Sequence, residues 1–302
     1  MKAITFDTFG GPEVLRLVEV PLPSPGPDQI RVQIQAAGVN PFDGKVRSGA
    51  MEEFFPTPLP AVPGIELAGV VDALGAGVTG VAVGDRVVGW AAAPTGSYAE
   101  YALSTTWAPI PDDLDFVAAV TLPVAVDTAN RVLNQLKVTA GETLLVHGAS
   151  GAVGQLAVQV AVARGVTVIG TAAEKNQDRV RALGAVPTGY GPGLVDRVRA
   201  LAPDGVDAVF DVAGKGALPD SIELRGGVDR IITIADPDAY RLGVTFSNAG
   251  ERSTGDLFAF ADRLARGEVS TTVGARYELA RAADAHRLLD EGHAGGKVVL
   301  IP

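Results

Sequence analysis

Thr143-Leu-Leu-Val-His-Gly-Ala-Ser-Gly-Ala-Val-Gly154 is the stretch whose reading decides the fold. Its apolar opening, Thr143 to Val146, reads as a buried strand. A glycine turn follows and leads straight into a helical pattern starting near Gly151. The spacing Gly148-x-x-Gly151-x-x-Gly154 permits a tight turn, a close backbone approach to a ligand, and tight packing of helix on strand. The free N–H groups and positive dipole end of that helix would suit a pyrophosphate. The string is not the full G-x-G-x-x-G fingerprint, because Ala149 and Ser150 separate the first two glycines. Taken alone, it fits a plain tight connection and a dinucleotide site equally well.

The surrounding chain separates these two readings. Its 302 residues suggest about two domains. Residues 1–115 read as mostly β, with short runs at Ala3–Phe6, Leu15–Val20, Gln29–Ala36, Leu67–Leu74 and Arg86–Trp90. Proline-rich and glycine-rich punctuation divides them, which suggests a compact, barrel-like β domain. From residue 116 the texture becomes alternating strand and helix. A helix over Thr128–Leu136 with Asp127 as N-cap precedes the strand at 143–146 and the helix at 151–163. Then come a strand Val166–Thr171, a helix Asn176–Leu183, a short segment ending at Tyr190, a helix Leu194–Ala202, and strands Val206–Asp211 and Arg230–Ile234. Continuous apolar strands separated by helices indicate a parallel, doubly wound α/β sheet. The tail holds a helix Asp256–Arg266, a strand near Thr272–Tyr277, a helix Ala280–Glu291 and a terminal strand Lys297–Ile301 that belongs back on the first domain. The glycine turn thus heads a βαβ array, the context in which dinucleotides bind.

Composition removes several function classes. The net charge of −10 argues against a nucleic-acid or anionic-membrane surface. Zero cysteines exclude disulfides, thiolate zinc sites and a cysteine nucleophile, and fit a cytoplasmic protein. Charge or glycine interrupts the longer apolar runs, so no transmembrane helix is expected. The N-terminal Met1-Lys2-Ala3-Ile4-Thr5-Phe6-Asp7 reaches an acid too soon for a signal peptide. His147, His286 and His293 show no metal-ligand spacing, and His147 on its strand reads as a core or surface histidine.

Six ordered motifs carry a resemblance. They are Ala37-Gly-Val-Asn-Pro-Phe-Asp43, Pro63-Gly-Ile-Glu-Leu-Ala-Gly-Val-Val71, Val83-Gly-Asp-Arg-Val87, Gly96-Ser-Tyr-Ala-Glu-Tyr101, the 147–154 turn, and Gly295-Gly-Lys-Val-Val-Leu300. Over its whole length the chain resembles the medium-chain dehydrogenase/reductase superfamily, and within it the zinc-free, zeta-crystallin-like quinone oxidoreductase group. The resemblance implies a GroES-like, β-rich substrate domain from residues 1–115 and 247–302, with a Rossmann dinucleotide-binding domain, 116–246, inserted between. The resemblance implies that zinc-dependent relatives carry a cysteine where this chain has Asn40, a histidine where it has Ile65 and a cysteine near Val124, so no metal is expected.

In NAD-preferring Rossmann domains an acid at the end of the second strand binds the ribose 2′-hydroxyl, and that position holds Ala172. The family's NADP-dependent members place a small residue, a basic residue and a tyrosine there, matching Ala173, Lys175 and Tyr190. NADPH is therefore the expected cofactor, with Glu174 an awkward neighbour. By the same carry-over the pyrophosphate seat comprises Gly148, Ser150, Gly151, Ala152, Val153 and Gly154. Thr128, Ile234 and Ala235 would lie at the nicotinamide, and Val212 and Ala213 beside the adenosine.

Without a metal, the simplest chemistry is direct hydride transfer to a quinone or α,β-unsaturated carbonyl, whose resonance carries the arriving charge onto an oxygen. Such a site needs orientation, a dry slot and a hydrogen-bond donor at that oxygen. Asn40 is the expected catalytic group; its ordinary alternative is a turn before Pro41. Phe42, Trp90 and Tyr98 are expected in the substrate pocket, with Phe54 and Phe55 as further aromatic candidates. Many relatives have a tyrosine at the position of Lys45, so a phenol donor is missing there. Two alternatives stand beside quinone reduction: an enoyl or alkenal double-bond reductase, and an NADPH-binding structural or regulatory protein with little turnover. The expected partners are a small-molecule electron acceptor and a second copy of the chain. Relatives join their nucleotide sheets edge to edge, which marks Val244–Ser247 as the candidate seam of a homodimer.

Overall fold

The structure, a computed structural model, describes residues 1–302 except Ala249 and His293. The chain forms two compact units. One combines Met1–Pro123 with Arg252–Pro302, and the other is Val124–Glu251. The seams fall a few residues beyond the expected 115/116 and 246/247. Phe116 stays with the first unit because its ring lies under the Arg86 guanidinium, 4.7 Å away. Ser247 stays with the second, where its N–H donates to Thr233 O and its hydroxyl donates to Gln135 Oε1.

In chain order the first unit supplies β1 (Lys2–Thr5), β2 (Arg16–Glu19), β3 (Ile30–Val39), α1 (Pro41–Arg47), β4 (Glu66–Leu74), β5 (Arg86–Trp90), β6 (Tyr101–Ser104), β7 (Thr106–Pro109) and α2 (Phe116–Ala119). The second holds α3 (Pro123–Leu136, opening at the seam), β8 (Thr143–His147), α4 (Ala152–Ala163), β9 (Thr167–Thr171), α5 (Glu174–Ala182), β10 (Val186–Thr188), α6 (Leu194–Leu201), β11 (Ala208–Asp211), α7 (Leu218–Arg225), β12 (Ile231–Thr233), α8 (Ala239–Leu242) and β13 (Thr245–Phe246). The chain then returns to the first unit with α9 (Thr254–Ala265), β14 (Val273–Glu278), α10 (Ala282–Asp290) and β15 (Lys297–Ile301).

The larger sheet of the first unit runs β14-β15-β3-β4-β5-β7, with β6 also pairing β3. Long β3 is its hub. Residues Ile30, Val32 and Ile34 alternate inward with more exposed neighbours, as a half-buried strand requires. From Ala36 to Val39 every residue is buried, because β15 now covers the other edge. The terminal strand thus lies on the first domain, antiparallel to β3.

The sheet of the second unit is wholly parallel in the order β10-β9-β8-β11-β12-β13. Numbered within the unit this is 3-2-1-4-5-6, the doubly wound dinucleotide-binding order. Central β8 is buried on both faces, which is why Leu144-Leu-Val146 is an unbroken apolar run. The strand order reverses between β8 and β11, so a crevice opens beyond their C-terminal ends, at Gly148 and Val212.

One local expectation is corrected. Helix α3 opens at Pro123, so Asp127 lies inside the helix and pairs with Arg131 at 3.8 Å instead of capping its start. One stretch, Phe116–Leu136, is long and apolar enough to cross a membrane by length and composition. It is broken between α2 and α3 and 61% of its apolar window is buried inside the protein, as in a core helix.

Candidate functional site

The phosphate seat grows out of β8. Gly148 has φ of +76°, a left-handed conformation that favours glycine, and its N–H donates to Thr171 Oγ1 at 3.2 Å. Ala149 N–H donates to Thr171 O, closing the turn against β9. Gly151 then caps α4 with extended backbone and no side-chain cap bond. The first amides of α4 therefore point outward without intrahelical partners. Gly154 is buried on the first turn of α4. A Cβ there would collide with Gly148 O and come within 2.9 Å of Ala149 Cα. The absent side chains hold the helix against its turn and form a backbone cradle fitted to a pyrophosphate.

Asp211, at the end of β11, organises the neighbouring loops. Fully buried, it accepts from Ala213 N and Gly214 N through Oδ1 and from Thr233 Oγ1 through Oδ2, at 2.7–3.1 Å. Thr233 Oγ1 in turn accepts from Ala235 N and Asp236 N. One carboxylate thereby aligns the loops after β11 and β12, with its lone pairs met by three donors. Beneath the turn, buried His147 shares Nε2 with Ser221 Oγ at 3.0 Å, and burial pushes its pKa down, so it is a neutral core histidine.

The structure brings Gly148, Ser150, Gly151, Ala152, Val153, Val212, Ala213, Ile234 and Ala235 to one half-buried rim at the C-terminal edge of the sheet. A Cβ on Gly148 would touch that of Ala213 at 3.3 Å, and one on Gly214 would meet Ala235 at 2.6 Å, so the three loops are contiguous. Thr128 is buried on α3, and its place at the nicotinamide remains what the resemblance implies. Past β9, a cleft of about 420 Å³ is lined by Ala172, Ala173, Glu174, Gln177, Gly189 and Tyr190. Ala173 and Tyr190 are thus together, whereas Lys175 is exposed on the first turn of α5 and Glu174 takes a lining position.

In the first unit Asn40 is the N-cap of α1, with Pro41 at N1. It is 6% exposed, and its carboxamide is held at both ends. Nδ2 donates to Glu66 Oε1 at 2.9 Å, and Lys297 Nζ donates to Asn40 Oδ1 at 2.8 Å. Lys297 and Glu66 also contact each other directly. Asn40 N–H donates to Asp43 Oδ2, which also receives the Tyr98 hydroxyl at 3.0 Å. Burial pushes the Asp43 carboxyl up to about 6, against the opposing pull of these hydrogen bonds and of Lys297. Burial likewise draws the Lys297 ammonium down to about 7, and the Asp43 carboxylate opposes that.

Tyr98 is corrected from pocket wall to core. It is completely buried, and its oxygen also meets His286 Nε2 at 3.1 Å. Arg47 Nη1, which can only donate, sits 2.8 Å from His286 Nδ1. Nδ1 must therefore accept, so Nε2 carries the proton toward Tyr98, and Tyr98 donates onward to Asp43. Trp90 is 3% exposed with the Arg252 guanidinium over its ring, which likewise makes it an enclosed residue and not an open wall. Phe42 is half-buried on α1 and packs edge-to-face on Phe55, with ring centroids 5.4 Å apart; Phe54 and Phe55 are exposed. His293 lies outside the described residues. Among the described residues no three His, Cys, Asp or Glu side chains form a set able to hold a metal ion.

Removing the Tyr98 hydroxyl tests this buried chain. Tyr98→Phe is expected to cost about 1–3 kcal/mol, because Asp43 loses a donor it cannot replace from water. The sign of the pH dependence follows from Asp43, whose folded pKa of about 6 exceeds its ordinary 3.8. Folding takes up a proton between those values, so this group's stabilisation is full below the lower value and is lost as pH rises through about 6. In Tyr98→Phe the upper limit moves higher, and chemical denaturation at a series of pH values spanning both limits reads it.

Two family profiles match the chain: an alcohol dehydrogenase GroES-like domain over residues 26–112, and a zinc-binding dehydrogenase over residues 190–300. A quinone oxidoreductase of Rattus norvegicus is 33% identical over 99% of this chain and 96% of its own length. The chain belongs to the medium-chain dehydrogenase/reductase superfamily, in its quinone oxidoreductase group. Another member of the superfamily, an NADPH-dependent alkenal/one oxidoreductase of Arabidopsis thaliana, is 32% identical over all of this chain and 80% of its own length. Among solved structures, Escherichia coli quinone oxidoreductase complexed with NADPH superposes with a TM-score of 0.88 at 26% identity, covering both chains fully.

Asp43, Arg47, Glu66, His286 and Lys297 escape a reading for motifs of chemistry. A usable signal was present: Glu66 and Lys297 each open a largely apolar strand, and a charge buried in a strand demands a partner.

Proposed function

We propose that the protein is an NADPH-dependent, metal-independent reductase that passes a hydride to a quinone or an activated α,β-unsaturated carbonyl. The backbone cradle at Gly148–Gly154, at the switch point of a 3-2-1-4-5-6 sheet, carries this reading. The amides of Ala152, Val153 and Gly154 would hold the pyrophosphate, and Asp211 would keep the loops at Val212–Ala213 and Ile234–Ala235 against the rest of the dinucleotide. NADPH, when bound, supplies the hydride. The chain supplies orientation, exclusion of water and, at Asn40, a fixed polar group for the acceptor oxygen or the nicotinamide. The exposed rings of Phe54 and Phe55, with Phe42 behind, suit a flat conjugated acceptor. The alkenal/one reductase relative supports the enone half of the substrate range.

Ala172 where an acid would bind a 2′-hydroxyl, and a cleft beside it bounded by Ala173 and Tyr190, support NADPH over NADH. Lys175, exposed beside the cleft, is the cation able to swing toward a 2′-phosphate, and Glu174 opposes it. Lys175→Ala is expected to raise the KM for NADPH about tenfold and leave that for NADH unchanged, while Glu174→Gln lowers the NADPH value. Equal effects on both cofactors would remove these residues from the 2′-phosphate site.

The absence of cysteine supports action in the cytoplasm. A homodimer joined along β13 is supported by the position of that strand at the sheet edge, with exposed Tyr240 stacked on Phe246 beside it. Sedimentation of the purified chain at twice its monomer mass is the expected result.

A further inference from the structure

Strand register places four residues of the first unit on one face of its sheet. Val298 pairs Val39 and Val299 pairs Gly38, so the next step sets Lys297 opposite Asn40. On the other side of β3, Glu66 pairs Gly38. Residues directly opposite share a face, as do residues two apart along a strand. Lys297, Asn40, Gly38 and Glu66 therefore point the same way. Lys297 and Glu66 belong to strands that do not pair with each other, because β3 lies between them.

They nevertheless touch, and Gly38 is the reason. A Cβ on Gly38 would collide with Glu66 Oε1 and lie 2.7 Å from Lys297 Cε. The missing side chain is a slot through which two buried charges meet across the central strand. Both charges then turn to the same carboxamide. Glu66 takes the Asn40 Nδ2–H, and Lys297 donates to its Oδ1.

We propose that Lys297 and Glu66 are positioning residues for the reductase reaction, clamping the Asn40 carboxamide in a single orientation across the Gly38 slot. An ammonium has only donors and a carboxylate only acceptors, so a flipped amide would face donor to donor and acceptor to acceptor. Asn40 cannot rotate its oxygen into the place of its nitrogen, and its second Nδ2 hydrogen keeps a fixed direction. The pair is almost fully enclosed, so solvent cannot relax that constraint. The inference rests on Asn40 serving the acceptor oxygen or the nicotinamide in the proposed reaction.

The test compares the full-length wild type with the double variant Glu66→Gln/Lys297→Met. The carboxamide that replaces the Glu66 carboxylate accepts either Asn40 orientation, and the thioether that replaces the Lys297 ammonium neither favours nor opposes one. The two paired charges leave together, and Asp43, which also faces Lys297, can take up a proton in its absence because its carboxyl already stands at about 6. With a p-quinone as acceptor, kcat is expected to fall about 10- to 100-fold, while NADPH affinity by fluorescence titration, set mainly by the Gly148–Gly154 cradle, changes far less. In ¹⁵N-edited spectra of the cofactor-free protein, the Asn40 side-chain NH₂ pair, assigned through Asn40→Asp, is expected to shift and to exchange faster. A folded double variant with wild-type kcat would overturn the proposal. Should the wild type turn over no acceptor, the proposed function fails by itself. The spectra then decide the clamp: an unchanged Asn40 NH₂ pair refutes it and a shifted pair supports it. Gly38→Ala, which fills the slot and leaves both charges in the chain, should reproduce the spectral change; an unaltered Asn40 signal there would also count against the clamp.

Discussion

Gly154→Ala is expected to weaken NADPH binding about 100-fold or more and to destabilise the second unit by about 1–3 kcal/mol. The added methyl has no room: it would meet the backbone at Gly148 O and Ala149 Cα, not the yielding end of a side chain. Either α4 lifts from the turn or the turn opens, and each outcome moves the amides away from the pyrophosphate. Losing two charge-assisted N–H bonds at about 1.5–3 kcal/mol apiece accounts for the expected factor. Gly151→Ala provides the contrast. Its backbone is extended, and a Cβ there would meet nothing closer than Gly148 O at 3.4 Å. Stability should be unchanged while NADPH still binds more weakly, because the new methyl stands at the mouth of the cradle. Thermal melts with and without NADPH separate the two effects. A Gly154→Ala protein that melts and binds like the wild type would remove this turn from the account.

Lys297→Met alone is expected to cost about 3–5 kcal/mol, since it leaves the Glu66 carboxylate buried without its cation. Glu66→Gln/Lys297→Met should recover most of that loss, because removing both charges also removes the need to desolvate them. Urea denaturation of the two variants, read at a common pH, measures the difference. Equal losses in single and double variants would mean that the pair does not act as a unit. The distinction matters for function: with most of the stability recovered in the double variant, a rate loss there reports the orientation of Asn40 and not collapse.

The sequence was most legible where local chemistry and tertiary setting agree. The run Thr143 to Val146, the glycines after it and the apolar-helical alternation that follows each specify the same parallel sheet, and β5 and β15 stand at the residues where their short apolar runs place them. Short β6 and β7 were not legible, because four residues of mixed character carry too little periodicity. Helix α7 escaped for a related reason: only Leu218 and Ser221 are buried along it, so it lacks an apolar stripe. In the candidate site, the phosphate seat was readable because glycine spacing is itself the mechanism. The Asn40 clamp was not, since its members stand at the end of β3 and on β4 and β15, far apart in the chain, and meet only through sheet register. Tyr98 misled for the opposite reason. An aromatic residue in a cleft-associated motif looks like a wall until its hydroxyl is found between Asp43 and His286.

The most direct test of the whole account is NADPH consumption by the purified protein, followed by absorbance against a panel of o- and p-quinones, 2-alkenals and enoyl thioesters, with and without a chelator. Turnover of quinones or enones is expected, faster with NADPH than with NADH and indifferent to the chelator. Tight NADPH binding with no turnover of any acceptor would contradict it, and would leave a dinucleotide-binding protein without reductase activity.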